Sequence, residues 1–314
     1  MNGVAAPIVA YEPASGILPE IMSARPKVSV VVVVYMTGEA LDQSLRCVLA
    51  DRAVDELIIV DNGSSFTEAA RLRGVLEGDS RVVLVNGQGN VGFAKGANLG
   101  ARRANGDTLV FLNPDAFLQP GCVTELTRAI SGRAVPCIVG GRVLNADRTE
   151  QRGARRGDIT LVNALLSLSH LARKIPSLAR FDVHWEKQAT PDGVAVIPTI
   201  SGACFCMRRQ DFEALNGFDE GYFLHVEDVD LCWRVREAGG QVLFQPKAEV
   251  IHLGHTSRAS PIRVEFHKGV GLARFFRKRA QTVGQALAAW LLSPVIVCTA
   301  VARPVMRRMQ GRVA

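Results

Sequence analysis

The chain has 314 residues, 48% of them hydrophobic and 21% charged, with 37 Lys and Arg against 30 Asp and Glu. That is enough chain to bury a full core, as one large domain with an appendage or as two modest domains, and too apolar a composition for a disordered protein. Its seven scattered cysteines show no CxxC pair, which argues against a disulfide scaffold or a zinc site and for reduced thiols in a cytosolic setting.

The net charge of +7 is uneven: residues 255–314 hold eleven Lys or Arg against Glu265 alone, a sum of +10, so the first 254 residues sum to −3. Basic character therefore belongs to the tail, and nucleic acid is not an expected partner of the body. Residues 1–26 have no cationic start followed by an apolar run, so they do not read as a secretory signal. Their Pro, Ala, Gly and Ser content predicts a flexible leader.

Val28 to Tyr35 is an almost unbroken β-branched run, the pattern of a strand covered on both faces. A helix pattern over Glu39 to Leu49 follows, then a strand over Glu56 to Val60 that ends in Asp61-Asn62-Gly63-Ser64-Ser65. A helix-like stretch from Thr67 to Leu76 leads to a strand over Arg81 to Val85, a glycine-rich turn at 86–92 and a helix to Arg103. The strand from Thr108 to Leu112 ends in Asn113-Pro114-Asp115. Strand alternating with helix predicts an α/β fold, a Rossmann-like, doubly wound and mainly parallel sheet. Such sheets bind ligands at the carboxyl ends of their strands, where the polar groups of this sequence gather: Tyr35 with Thr37, Asp61 with Asn62, Asn86 to Gly92, and Asn113 to Asp115.

The alternation stops between Arg152 and Ile200. Ile159 to Leu171 is apolar nearly all round, which fits a core helix or a mobile flap beside an acceptor; the flap is the preferred reading because basic residues follow it. Thr199 to Arg209 reads as a turn entering a strand, with Gly202 permitting close approach of another group. Gly217 to Arg234 packs five carboxylates among apolar residues and runs into a helix that starts near Glu227. Asp230 and Arg234 stand four apart and can pair, whereas Asp228 points about 200° around the helix from Asp230. Short strands follow over Val242 to Phe244 and Glu249 to Leu253, the second carrying His252.

Ala280 to Ala302 contains no charge and is flanked by Arg277, Lys278 and Arg279 before it and Arg303, Arg307 and Arg308 after it. Its length approaches a membrane span, but Gln281, Gly284, Gln285 and Pro294 weaken that reading. A basic and apolar helix pair lying in the interface of an anionic membrane fits better; the alternative is a helix packed on the domain.

Gly87-Gln88-Gly89-Asn90-Val91-Gly92 matches the dinucleotide fingerprint GxGxxG between a strand and a helix, and by itself suggests a nicotinamide-dependent oxidoreductase. It lies on the third strand, however, and the fingerprint belongs on the first strand-helix turn. Asp61 can accept hydrogen bonds from a base or ribose, or simply open a turn. Asp115, rigidly placed after a proline, can hold a divalent cation that also binds phosphates, since Mg²⁺ commonly takes only one or two protein carboxylates. His252 reads either as a further ligand or as a histidine satisfied within its strand.

The joint order of these motifs resembles the family 2 glycosyltransferases with the GT-A fold, and in particular their rhamnosyltransferase-like members. The resemblance covers about Lys27 to Ser257 and is carried by Val-Val-Val-Tyr at 32–35, Val-Asp-Asn-Gly-Ser at 60–64, Gly-Asn-Val-Gly-Phe-Ala-Lys-Gly-Ala-Asn-Leu-Gly at 89–100, Asn-Pro-Asp at 113–115, Ser-Gly-Ala-Cys at 201–204, Gly-Phe-Asp-Glu at 217–220, Glu-Asp-Val-Asp-Leu-Cys-Trp-Arg at 227–234 and Val-Ile-His at 250–252. It implies a GT-A domain over 27–258, with a nucleotide-sugar half (27–120) and an acceptor half (121–258), followed by a helical tail over 259–314 associated with an anionic membrane surface.

The implied reaction moves a sugar, with inversion, from a nucleotide diphosphate donor such as dTDP-rhamnose or a UDP-sugar to a lipid-linked or envelope polysaccharide acceptor, by a cytoplasmic enzyme attached peripherally to the inner face of the cell membrane. Asp228 is implied as general base, with Glu227 as its modulator or an acceptor contact. Tyr35, Asp61, Asn62, Asn90, Gly92, Lys95, Asn98 and Asn113 are implied on the donor side, and Ser201 and Gly202 on the acceptor side. Asp115, helped by His252, is implied as the holder of Mg²⁺ or Mn²⁺. The family's metal motif is usually Asp-X-Asp, and Asn113 at its first position leaves one carboxylate.

Overall fold

The computed structural model describes residues 25–65, 69, 70, 72–74, 78–169, 175–254, 256, 257 and 259–309, the last helix with side chains through 304. Nearly all of the expected leader and part of the Thr67 to Leu76 stretch lie outside the described residues.

The first half runs β1 (Val28–Val34), α1 (Ala40–Ala50), β2 (Glu56–Asp61), β3 (Val82–Val85), α2 (Phe93–Arg103), β4 (Thr108–Leu112), β5 (Ala116–Leu118) and α3 (Cys122–Ile130). The second half runs β6 (Cys137–Leu144), β7 (Arg155–Arg156), α4 (Leu161–Leu168), a 3₁₀ turn at Pro176–Phe181, β8 (Ala195–Val196), β9 (Thr199–Ile200), β10 (Cys204–Arg208), α5 (Arg209–Ala214), α6 (Glu227–Glu237), β11 (Gln241–His252), α7 (Pro261–Arg279) and α8 (Val283–Met309).

One nine-stranded sheet in the order β3-β2-β1-β4-β10-β6-β11-β5, with β8 also paired to β11, forms the body. From β3 to β4 every pairing is parallel, as the alternating sequence predicts. Beyond β4 the sheet becomes mixed, because β10 runs antiparallel to both β4 and β6. Alternate residues of β1 face opposite cores: Val31 and Val33 pack with α2, α6 and the tail helices, while Val30 and Val32 pack with α1 and α3. Helix α2 lies close on the first of these faces because Gly96 and Gly100 have no side chain. A methyl at Gly100 would meet Val31 Cγ1 at 2.5 Å.

Three expectations change. The two short strands expected near 242–253 are one strand, β11, whose register slips between Gln245 and Glu249. Ile159, Ala164 and Leu168 are buried in the core that also holds Ala289 of α8, so α4 is a packed helix rather than a free flap. The tail is docked on the body: Leu272, Phe275 and Phe276 of α7 join the same core, and α8 folds back along α7. There Gly269 allows close crossing, since a Cβ on it would lie 2.9 Å from Val297 Cα.

Candidate active site

The site is assembled around the start of α6. Gly217 at φ +62 turns the chain, and Phe218 then inserts among Phe93, Phe111, Phe205 and Phe212. Asn98, buried in α2, clasps this turn: its amide donates to Phe218 O at 2.9 Å, and its Oδ1 accepts from Phe218 N at 2.9 Å. Just before the helix, His225 at φ 66 and Val226 at φ 74 are both left-handed, a conformation that L side chains, above all β-branched ones, adopt at a cost of about 1–3 kcal/mol each. Helix α7 closes on them, with Gly271 placed so that even a Cβ would sit 3.1 Å from His225 O and from Val226 Cγ2.

The five carboxylates of this segment separate into different tasks. Asp219 pairs with Arg274 and Lys278 of α7, and Glu220 accepts from Asn98 at 3.1 Å. Asp230, fully buried, accepts from Arg234, Tyr222 and Lys278. Glu227 and Asp228 remain, and their surroundings drive them apart. Arg156 Nη2 on β7 donates to Asp228 Oδ2 at 2.6 Å and to Ile200 O at 2.6 Å, while the Gly202 N–H donates to Asp228 Oδ2 at 3.0 Å. Burial pushes the Asp228 carboxyl up, but the Arg156 charge and hydrogen bond, with the Val229 and Gly202 N–H groups, outweigh it and hold Asp228 below the usual carboxylate range. Burial, reinforced by the Asp228 charge, pushes Glu227 up to about 8, and its Oε2 is sealed without a hydrogen-bond partner. One group is thus an ionised acceptor and the other a neutral carboxyl at pH 7, the separation that acid–base chemistry requires.

Gly202 has no room for a side chain, since a Cβ there would lie 3.0 Å from Asp228 Cβ. Ser201 Oγ accepts from the Ala203 N–H, and Ala203 O accepts from the Asn113 N–H at 2.9 Å, so Asp228 is linked through three residues to the end of β4.

At that end lie Asp115 and His252. Gln151 Nε2 donates to His252 O at 2.9 Å, which turns its Oε1 toward His252 Nδ1 at 2.7 Å and places the ring proton there. The Nε2 lone pair then faces Asp115 Oδ1 at 3.1 Å, with Asn113 Nδ2 at 3.2 Å. Two acceptors face to face repel unless a proton or a cation joins them, so the donor set fits a divalent ion. Among the described residues no third His, Cys, Asp or Glu completes a cluster, which suits an ion that takes its other ligands from phosphate and water. Burial raises Asp115, but a proton shared with His252, where one joins the pair, and the hydrogen bond from Thr256 Oγ1 at 2.9 Å hold it below the usual carboxylate range.

A recess of about 350 Å³ opens beyond β2 and β3, lined by Asp61, Gly63, Ser64, Arg73, Asn86 and Gly89 among others. Asp61 Oδ1 accepts from the Gly63 and Ser64 N–H groups and shapes its rim. Tyr35 is half-buried at the end of β1, where its carbonyl accepts from Ser257 Oγ at 3.4 Å.

The structure directs several other expected donor residues elsewhere. Asn98 is committed to the Phe218 turn. Asn62 is buried and donates to Gly92 O at 2.9 Å, and Asn90 Oδ1 accepts from the Gly92 N–H. Gly92 itself leaves room for Phe223 O, which a Cβ would meet at 2.5 Å. These three order the loop instead of projecting into the recess. Lys95 is exposed in the first turn of α2 and makes no hydrogen bond or ion pair among the described residues. The GxGxxG match is therefore a turn shaped around Phe223 in the segment before α6, not a dinucleotide cradle, and nothing supports the oxidoreductase reading. Arg156 is a residue that the sequence reading missed; its only signal was the basic pair Arg155-Arg156 in the stretch where the alternation stops.

The comparisons agree with this architecture. Among solved structures, a mannosyltransferase, PcManGT from Pyrobaculum calidifontis in complex with GDP-Man and Mn²⁺, aligns over 91% of this chain and 76% of its own at TM-score 0.57 and 17% identity. GalNAc-T7 with UDP, GalNAc and Mn²⁺ aligns over 83% of this chain at TM-score 0.56 and 15% identity, and the chain spans only 52% of that protein. These likenesses establish the GT-A fold. In sequence, the chain is 26% identical over 250 residues to N-acetylglucosaminyl-diphospho-decaprenol L-rhamnosyltransferase of Mycobacterium tuberculosis, covering 71% of this chain and 75% of that one. It is 24% identical to rhamnosyltransferase WbbL of Escherichia coli, covering 74% and 86%. A model described as the N-terminal domain of galactosyltransferase matches residues 191–256. The glycosyl transferase family 2 model matches residues 29–215, more than half of the chain, and the protein belongs to that family.

Proposed function

We propose that this glycosyltransferase transfers a sugar, rhamnose first among the candidates, from a nucleotide diphosphate donor to a lipid-linked envelope glycan, with inversion at the anomeric carbon. The observation that carries this reading is the pairing of an ionised Asp228 with a neutral Glu227 at the start of α6, linked through Ser201 to Ala203 to the Asn113, Asp115 and His252 end of the sheet. The rhamnosyltransferase relatives support the sugar, and the decaprenol-linked substrate in the name of one of them supports a lipid-diphosphate acceptor.

In this reading Asp228 takes the proton from the acceptor hydroxyl as that oxygen attacks, and Glu227, its neutral neighbour, modulates it. Arg156 and the Gly202 N–H fix Asp228 in the orientation that meets the hydroxyl. Asp115 and His252 would hold Mg²⁺ or Mn²⁺, which when bound neutralises charge growing on the leaving diphosphate. The recess at Asp61 takes the nucleobase.

The tail supports attachment to the inner face of a membrane. Ala289, Ile296 and Ala300 of α8 are buried, while Val283, Leu287, Trp290, Leu291 and Val295 form an exposed apolar stripe on the other side. By length and composition Val283–Pro304 would also suffice to cross a membrane. Its attachment to α7, including Arg303 paired with Glu265 at 3.2 Å, favours lying along the surface. Four of the tail's basic side chains, Arg274, Lys278, Arg279 and Arg303, are paired with carboxylates of the protein. The attraction therefore comes more from the apolar stripe than the charge count suggests.

The test is a donor screen that follows nucleoside diphosphate release with a lipid-diphosphate acceptor, with and without Mn²⁺. Release from dTDP-rhamnose that depends on the acceptor is expected. Preference for a different donor would replace the sugar, and no acceptor-dependent release from any donor would overturn the reading.

A further inference from the structure

Helix α7 presents one further group to the site. Lys268, Gly271, Leu272 and Phe275 share a face at helical spacing. Phe275 meets Trp233 of α6 edge to face, and one turn earlier Gly271 fits against His225 and Val226. Lys268 lies one turn earlier again, and its neighbour His267 stacks on Phe223 with ring centroids 4.4 Å apart. That places Lys268 near the start of α6, within electrostatic reach of Glu265, Arg303, Arg156 and Asp228.

The residue is half-buried. Burial pulls its ammonium below the usual lysine range, yet it makes no hydrogen bond or ion pair with any described residue. Three other basic residues of α7 are matched: Arg274 and Lys278 with Asp219, Arg279 with Asp158. A partly desolvated cation with no hydrogen-bonded counter-ion is costly unless an anion completes it.

Two anions belong to the reaction, the donor diphosphate and any phosphate carried by the acceptor. The donor side already has Asp115 and His252 to hold a divalent ion. The acceptor side has Lys268, and the far side of the same helix exposes Ile262, Phe266 and Val270 at four-residue spacing. A helix with a cation toward the base and an apolar stripe away from it matches a molecule in which a diphosphate joins a sugar to a lipid.

We propose that Lys268 binds the diphosphate of the lipid-linked acceptor and so delivers the acceptor sugar to Asp228 from the tail side. This rests on the function proposed above and adds the residue and chemistry by which the acceptor is recognised.

The test compares the unaltered protein with Lys268→Gln and Lys268→Arg, using dTDP-rhamnose and two acceptors, a short-chain N-acetylglucosaminyl-diphospho-lipid and an uncharged alkyl N-acetylglucosaminide. For Lys268→Gln, KM for the diphospho-lipid should rise about tenfold or more, a factor typical of a lost charged hydrogen bond, with kcat little changed. KM for the uncharged acceptor and the affinity for dTDP with Mn²⁺ should stay as they were, Lys268→Arg should retain most of the effect, and inorganic pyrophosphate should compete with the diphospho-lipid only while the cation is present. An unchanged KM for the diphospho-lipid, or equal losses on both acceptors, would overturn the proposal, and weakened dTDP binding would reassign Lys268 to the donor. Transfer by the unaltered protein to neither acceptor would instead overturn the functional reading, and this proposal with it.

Discussion

The two sides of the active site are built in different ways. The proposed donor side uses consecutive parallel strands, and its groups sit where β1, β2, β3 and β4 end, within 81 residues from Tyr35 to Asp115. The proposed acceptor side draws Arg156 from β7, Gly202 from the turn before β10, Glu227 and Asp228 from α6, and Lys268 from α7. The first needs only the sheet to form. The second exists only when an antiparallel strand, a strained turn and the docked tail all meet, so damage to any of them should reach the base.

The sharpest separation of the two sides comes from Asp228→Asn. Transfer should fall about 10³-fold or more, as expected for a lost general base, while titration with dTDP or UDP in Mn²⁺ remains near that of the unaltered protein. Turnover like the original would remove Asp228 from the mechanism. Next, Asp115→Asn should act on the other side, weakening Mn²⁺-dependent binding of nucleoside diphosphate about tenfold or more. Its effect should largely vanish when affinity is measured without metal.

Arg156→Met should lower kcat about tenfold to a hundredfold by freeing the Asp228 carboxylate from its orientation, with the Mn²⁺-dependent nucleotide affinity unchanged. The same variant should also raise the acidic limb of the pH–rate profile, because the Arg156 charge is what holds Asp228 low. In the unaltered protein, activity that needs a neutral Glu227 should fall as pH rises through about 8, and Glu227→Gln should abolish that alkaline limb.

Smaller effects should report on the tail. Asp219, held by Lys278 and Arg274, has its pKa lowered from 3.8 to about 2 although burial opposes the shift. Its contribution to stability is present above the unfolded value and is lost as pH falls from about 4 toward 2, because the unfolded chain takes up the proton first. Asp219→Asn should therefore flatten the acid end of a denaturation series, and an unchanged acid limb would show that the α7 clasp adds nothing. Leu291→Asp, on the exposed stripe of α8, should weaken vesicle binding about tenfold while acceptor-independent nucleotide affinity stays constant.

The sequence by itself determined the α/β alternation, the strand ends where ligands gather, the start of α6 at Glu227 and the pairing of Asp230 with Arg234. Each of these depends on local periodicity or on residues one helical turn apart. The motif order also pointed to the family. The tertiary structure decided what is non-local. Asn98 looks like any polar residue in a helix until it is found clasping Phe218, 120 residues away. Arg156 carries no motif, and its role appears only because β7 pairs with β9 and brings it to Asp228, 72 residues on. The tail's base-rich composition suggested a membrane-facing charge, yet the fold gave four of those cations, Arg274, Lys278, Arg279 and Arg303, carboxylate partners and left Lys268 without an ion pair among the described residues. Composition counts charges, whereas the fold decides which of them remain unpaired, because desolvation and partner distance are properties of the packed chain alone.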